Sequence, residues 1–68
     1  MNFKVETEQE EDGRWIAEVL ELPGALAYGS DQAQAVSNAE AVAFRILADR
    51  LEAGEPVPGV EQVFAVAA

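Results

Sequence analysis

Thirteen carboxylates, four cations, no histidine and no cysteine are the ionisable side chains of this 68-residue chain. Carboxylates at short range can act as general acid and base, or hold Mg²⁺ through their oxygens. Glu8, Glu10, Glu11 and Asp12 cluster in one stretch, without the Asp-x-Asp-x-Asp-Gly spacing of a calcium loop, and read as a solvated turn. Glu18 and Glu21 flank the end of an apolar strand and read as edge or interface charges. A divalent-metal hydrolase using Glu6, Glu8 or Glu18 would need several carboxylates to converge, yet the first strand offers Phe3, Val5 and Thr7 to the core. Nucleophilic catalysis needs a positioned base, usually histidine. Without one, Ser30 and Ser37 read as a helix cap and a helix surface. Phosphate cradling needs a glycine-rich loop with lysine, and the single Lys4 lies in the first strand. No catalytic residue, cofactor or metal is assigned, and the chain reads as a non-enzyme.

Bulk properties turn attention to partners. Half of the residues are hydrophobic, but thirteen of these are alanine, which leaves 21 larger apolar side chains for a core. A domain of about 60 residues buries only about 60% of its unfolded surface, so such chains lean on disulfides, metals or oligomerisation. Without cysteine or histidine the first is excluded and the commonest metal ligands are missing. At least a homodimer is therefore expected, with a higher homo-oligomer open. The net charge of −9 repels phosphate backbones, so no direct nucleic-acid binding is expected, and it steers the chain towards a basic partner. The N-terminus has no basic region followed by an apolar run, and no stretch nears about 18 consecutive apolar residues. The expectation is a cytoplasmic protein with no membrane partner and no cysteine chemistry.

The elements that would position a binding surface follow from periodicity. Phe3, Val5 and Thr7 alternate with Lys4, Glu6 and Glu8, a period-two strand pattern. "EEDG" supplies an Asp-Gly turn, and Arg14 to Leu20 forms a second strand. There Trp15, Ala17 and Val19 face one way, Ile16, Glu18 and Leu20 the other. Apolar groups on both faces suit a strand covered on both sides. Pro23 and Gly24 turn the chain, and a short third strand runs from about Ala25 to Tyr28. Ser30 or Asp31 begins a helix, Asp31 and Gln34 having the spacing of a capping box. The helix runs to Ala53, where Gly54 and Pro56 stop it. Its apolar arc holds Ala35, Ala39, Val42 and Ile46 and continues through Val36, Ala43, Phe44, Leu47 and Leu51. At about 200° it is some twice the width needed to cover a sheet. Val60 to Val66 reads as a last strand. The predicted fold is α+β, a two-layer β-β-β-α-β domain over residues 1–68: an antiparallel meander, one helix packed on the sheet, and a C-terminal strand.

"EEDGRWIAEVLELPGALAYGSDQAQAVSNA" resembles the HicB-like antitoxin family of type II toxin–antitoxin systems. Gly13-Arg14-Trp15 matches the hairpin exit, Leu22-Pro23-Gly24 the corner, and Gly29-Ser30-Asp31 with Ala35 the start of the helix. "AGEPVP", Ala53 to Pro58, matches the helix exit with Gly54 and Pro58. Ala25 stands where the family often has cysteine, and Gln34-Ala35 replaces Glu-Ala. The resemblance implies a partial RNase H-like domain that dimerises and neutralises a small, basic, RNA-cleaving toxin of the HicA type. It also implies a separate C-terminal segment for operator DNA, for which these 68 residues offer no helix-turn-helix or ribbon-helix-helix stretch.

Two functions are carried forward. One is a non-catalytic dimeric binding module, antitoxin-like, that occludes a basic toxin by direct protein–protein contact. The other is an orphan oligomeric scaffold or small-ligand domain with no toxin. Candidate partner contacts are Ile16, Glu18, Leu20, Leu22, Tyr28 and Phe44.

Overall fold

The computed structural model describes residues 2–67. Three strands, β1 (Val5–Gln9), β2 (Trp15–Val19) and β3 (Leu26–Gly29), form one antiparallel sheet in the order β1-β2-β3. The helix α1 (Gln32–Glu52) packs across one face of it. This is the α+β meander and helix expected from the sequence, with the third strand set one residue later.

Local chemistry explains each joint. The β1–β2 loop closes through Gly13 N–H to the Glu10 carbonyl (3.0 Å) and Glu10 N–H to the Arg14 carbonyl (2.7 Å), so the loop is Glu11-Asp12-Gly13. The Asp12 carboxylate accepts from Arg14 N–H at 3.1 Å and from Arg14 Nε at 2.8 Å, which ties the loop to the first residue after it. After β2, Ala25 N–H reaches the Leu22 carbonyl (3.0 Å) across Pro23 and Gly24. Gly24 sits at φ 90°, as the third position of a type II turn demands, with proline in the favoured place before it.

Gly29 has a different reason to be glycine. A Cβ there would lie 2.8 Å from the Ala35 Cα and collide with the first turn of α1. The helix can therefore approach β3 only over a bare backbone. Asp31 caps α1, its Oδ1 accepting from Gln34 N–H at 2.8 Å. Gln34 Oε1 reaches back past the cap to Ser30, accepting from its N–H (2.7 Å) and Oγ (2.9 Å). Of the two candidates the cap is therefore Asp31, with the Gln34 side chain returning to Ser30 one residue before it. At the far end, Glu55 N–H bonds the Arg50 carbonyl and Gly54 N–H bonds the Leu51 carbonyl, the paired bonds of a Schellman stop.

The core between helix and sheet is thin. Its buried members are Ala17, Val19, Leu22, Ala25, Ala35, Ala39, Ala43, Leu47 and Val57. Five of the nine are alanine, and no large side chain is fully buried. Ala17 stands opposite Ala27 in the sheet, while Ala35, Ala39 and Ala43 recur at four-residue spacing, the same face of the helix. Trp15, Phe3, Val36, Val42, Ile46 and Val60 pack around this centre half-buried. The wide apolar arc of the helix is only partly used: Phe44 stays 70% exposed and Leu51 is also exposed.

One predicted element is corrected. No strand forms over Val60–Val66; Val60–Gln62 is instead a single 3₁₀ turn. It is wound by Gln62 N–H to the Gly59 carbonyl and Val63 N–H to the Val60 carbonyl. Val57 anchors in the core and Gly59 at φ 87° redirects the chain, so residues 63–67 leave the body without a sheet neighbour. The radius of gyration is 14.1 Å, against about 11 Å for a compact chain of this length. The molecule measures 53 × 19 × 15 Å, longer than the roughly 32 Å of a 21-residue helix.

Candidate binding face

The register of the sheet sorts the candidate residues. Val5, Thr7 and Gln9 pair with Val19, Ala17 and Trp15, and Ala27 and Gly29 pair with Ala17 and Trp15, all towards α1. The opposite face carries Glu6 and Glu8 of β1, Ile16 and Glu18 of β2, and Leu26 and Tyr28 of β3. Among the described residues no other element lies across it. The two-faced apolar pattern of β2 is thus met by helix on one side and by open surface on the other.

Along this open face Ile16 is half-buried between its neighbours, while Leu20, Leu26 and Tyr28 are each more than 40% exposed. Ile16 stands directly opposite Tyr28 and Glu18 opposite Leu26. Two hollows flank this apolar centre. One, about 440 Å³, is lined by Glu10, Glu11, Asp12, Arg14 and Tyr28. The other, about 150 Å³, is lined by Glu6, Thr7, Glu8, Ile16 and Glu18. Arg14 is held: its Nε is 2.8 Å from Asp12 Oδ2 and its guanidinium carbon is 4.6 Å from the centre of the Tyr28 ring. That stacking and the Asp12 pair engage the cation beside the tyrosine from two sides. The backbone N–H of Arg14 and then its side chain hold the Asp12 carboxyl below its ordinary value. Glu6 and Glu18 face each other across β1 and β2, a like-charge pairing that weakens a sheet.

Ile16, Glu18 and Tyr28 therefore share one face, and Leu20 continues the parity of β2 beyond Glu18. Leu22 does not: it is 3% exposed, turned into the core by the corner at Pro23, and is withdrawn from the contact set. Phe44 is exposed but lies on α1 rather than on the sheet face, lining an apolar groove of about 180 Å³ with Phe3, Val5, Val19, Glu40, Ala43 and Leu47. Of the motif residues, Gly13, Pro23, Gly24, Gly29, Ser30, Asp31 and Gly54 act as joints, Trp15 and Ala35 face the helix–sheet core, and Pro58 follows the buried Val57.

Leu26, Arg14, Glu6 and Glu8 were not among the candidates. Leu26 was findable, being two residues from Tyr28 and so on the same strand face. The Arg14–Tyr28 stack was not, because it depends on the β2–β3 register. Among the described residues no group of three or more Asp and Glu converges as a metal site, and no helix is long and apolar enough to cross a membrane. No family model, curated protein or solved structure matches the chain.

Proposed function

We propose that the chain is a non-catalytic, dimeric, antitoxin-like module that occludes a small basic RNA-cleaving protein with the sheet face opposite α1. The observation that carries this reading is the composition of that face. An apolar centre of Ile16, Leu20, Leu26 and Tyr28 is bordered by the carboxylates of Glu6, Glu8 and Glu18 and by the acidic β1–β2 loop. Apolar and aromatic anchors supply most of the affinity of an interface, while peripheral charge steers encounter and selects the partner. Two copies meeting through this face would set carboxylates against carboxylates, whereas a basic surface would relieve the Glu6–Glu18 repulsion. The likeness of the Gly-Arg-Trp, Leu-Pro-Gly and Gly-Ser-Asp stretches to HicB-like antitoxins supports the same partner class.

Co-expression with any small basic protein encoded beside its gene tests the reading. Wild type restores growth, and Tyr28→Asp or Ile16→Asp, folded by circular dichroism, does not. Failure of the wild type to rescue, or a gene with no basic neighbour, would overturn it in favour of an orphan oligomeric scaffold.

A further inference from the structure

The two lateral edges of the sheet differ. In the β1–β2 ladder, Leu20 N–H bonds the Lys4 carbonyl and Glu10 N–H bonds the Arg14 carbonyl. Lys4, Glu6, Glu8 and Glu10 therefore exchange bonds with β2, and Val5, Thr7 and Gln9 direct their backbone N–H and C=O groups outward. Among the described residues nothing bonds those groups. The β3 edge is partly closed: Leu26 N–H bonds the Gly24 carbonyl, and Asn38 Nδ2 donates to the Tyr28 carbonyl at 2.9 Å. The only long open template of the sheet is thus β1. Beside it runs the groove formed by Phe3, Val5, Phe44 and Leu47.

The chain also carries a segment of matching length and polarity. Residues 63–67 are Val-Phe-Ala-Val-Ala, free of charge, proline and glycine, with Val63 53%, Phe64 68% and Val66 97% exposed. Five residues in extended form cover about 17 Å, the length of β1. After the buried Val57 and the 3₁₀ turn these residues pair with no strand of their own sheet, in a molecule 53 Å long.

We propose that residues 63–67 of each chain add as a fourth strand to the β1 edge of a second copy, Phe64 and Val66 closing the groove beside Phe44. Exchange in both directions gives a closed two-fold dimer. Phe44 and Phe64 of the two copies would bury on the order of 500 Å², a substantial part of the roughly 1,200–2,000 Å² of a stable interface. The alternation over Val60–Val66 then describes a strand that exists only between chains. The inference rests on the dimeric part of the function proposed above and leaves the opposite sheet face free for its partner.

A 1:1 mixture of isotope-labelled and unlabelled wild-type chain tests it by filtered NOE spectroscopy. Cross-chain contacts between residues 63–67 and 5–9, with slowed exchange of the Val5, Thr7 and Gln9 amides, are the result expected. Thr7→Pro removes an outward donor without touching the β1–β2 ladder, and Phe64→Asp charges the inserted face. Each should raise the dimer dissociation constant at least about tenfold with unchanged far-ultraviolet dichroism. A dimer whose contacts map elsewhere, or which survives both substitutions, overturns strand exchange alone. A wild-type monomer of 7.3 kDa overturns the dimer as well. Partner binding by the Phe64→Asp chain reports separately on the sheet face.

Discussion

The two faces of the sheet use their side chains in opposite ways. Towards α1 the closest contacts are small: Ala17, Ala27 and Gly29 lie under Ala35, Ala39 and Ala43, so the backbones approach closely, and the larger Trp15 and Val19 pack around them. Away from the helix they are large, with Ile16, Leu20, Leu26 and Tyr28 set among carboxylates. Ordinary small domains place the larger residues inside. Here close packing on one side fixes the fold, while Leu20, Leu26 and Tyr28 stay exposed on the other. The difference fits the proposal that burial of the outer face is completed by association.

The contrast can be broken most severely on the inner face. Leu47 is the largest side chain that α1 buries, so Leu47→Ala should cost about 2–5 kcal/mol. That is comparable to the total stability of a chain this size at about 0.05–0.15 kcal/mol per residue. Urea unfolding should show a lost or strongly shifted transition. Gly29→Ala should cost about 1–3 kcal/mol through overpacking against Ala35, with thermal melting as the readout; an unchanged melting temperature would mean that the helix does not rest on β3. On the outer face Glu18→Lys should act with opposite signs. It removes the Glu6–Glu18 repulsion and gains about 0.2–1 kcal/mol of stability, yet it weakens binding of the basic partner. Stability and binding that fall together would place Glu18 in the fold rather than in the contact.

The smallest effect concerns Asp12, whose folded pKa lies below its ordinary value of 3.8 because Arg14 donates to the carboxylate. A carboxyl with a lowered folded pKa stabilises above the unfolded value, and that contribution is lost as pH falls through the folded one. Melting curves taken below pH 4 should therefore lose slightly more stability for wild type than for Asp12→Asn.

Much of the fold was legible because its joints are short-range. Pro23-Gly24, Asp31 with Gln34, and Gly54 each act on a bond within five residues. The parity of β2 likewise exposed Ile16, Glu18 and Leu20 as one face. Leu22 was misassigned because the corner breaks that parity and swings it inward. The strand over Val60–Val66 was read from alternation alone, which shows that a segment can pair but not whether its own chain offers an edge. Of the wide helical arc, the alanine and Leu47 stripe is buried and Val36, Val42 and Ile46 are half-buried, while Phe44 and Leu51 stay exposed because the sheet is three short strands wide.

The central claim is that the face opposite α1 is where a basic protein binds. Chemical-shift mapping of the labelled chain, titrated with any small basic protein encoded beside its gene, tests it most directly. The account predicts changes centred on Ile16, Glu18, Leu20, Leu26 and Tyr28, weakening as salt is raised. Changes confined to Phe44 and the C-terminal segment, or no saturable change, would contradict it.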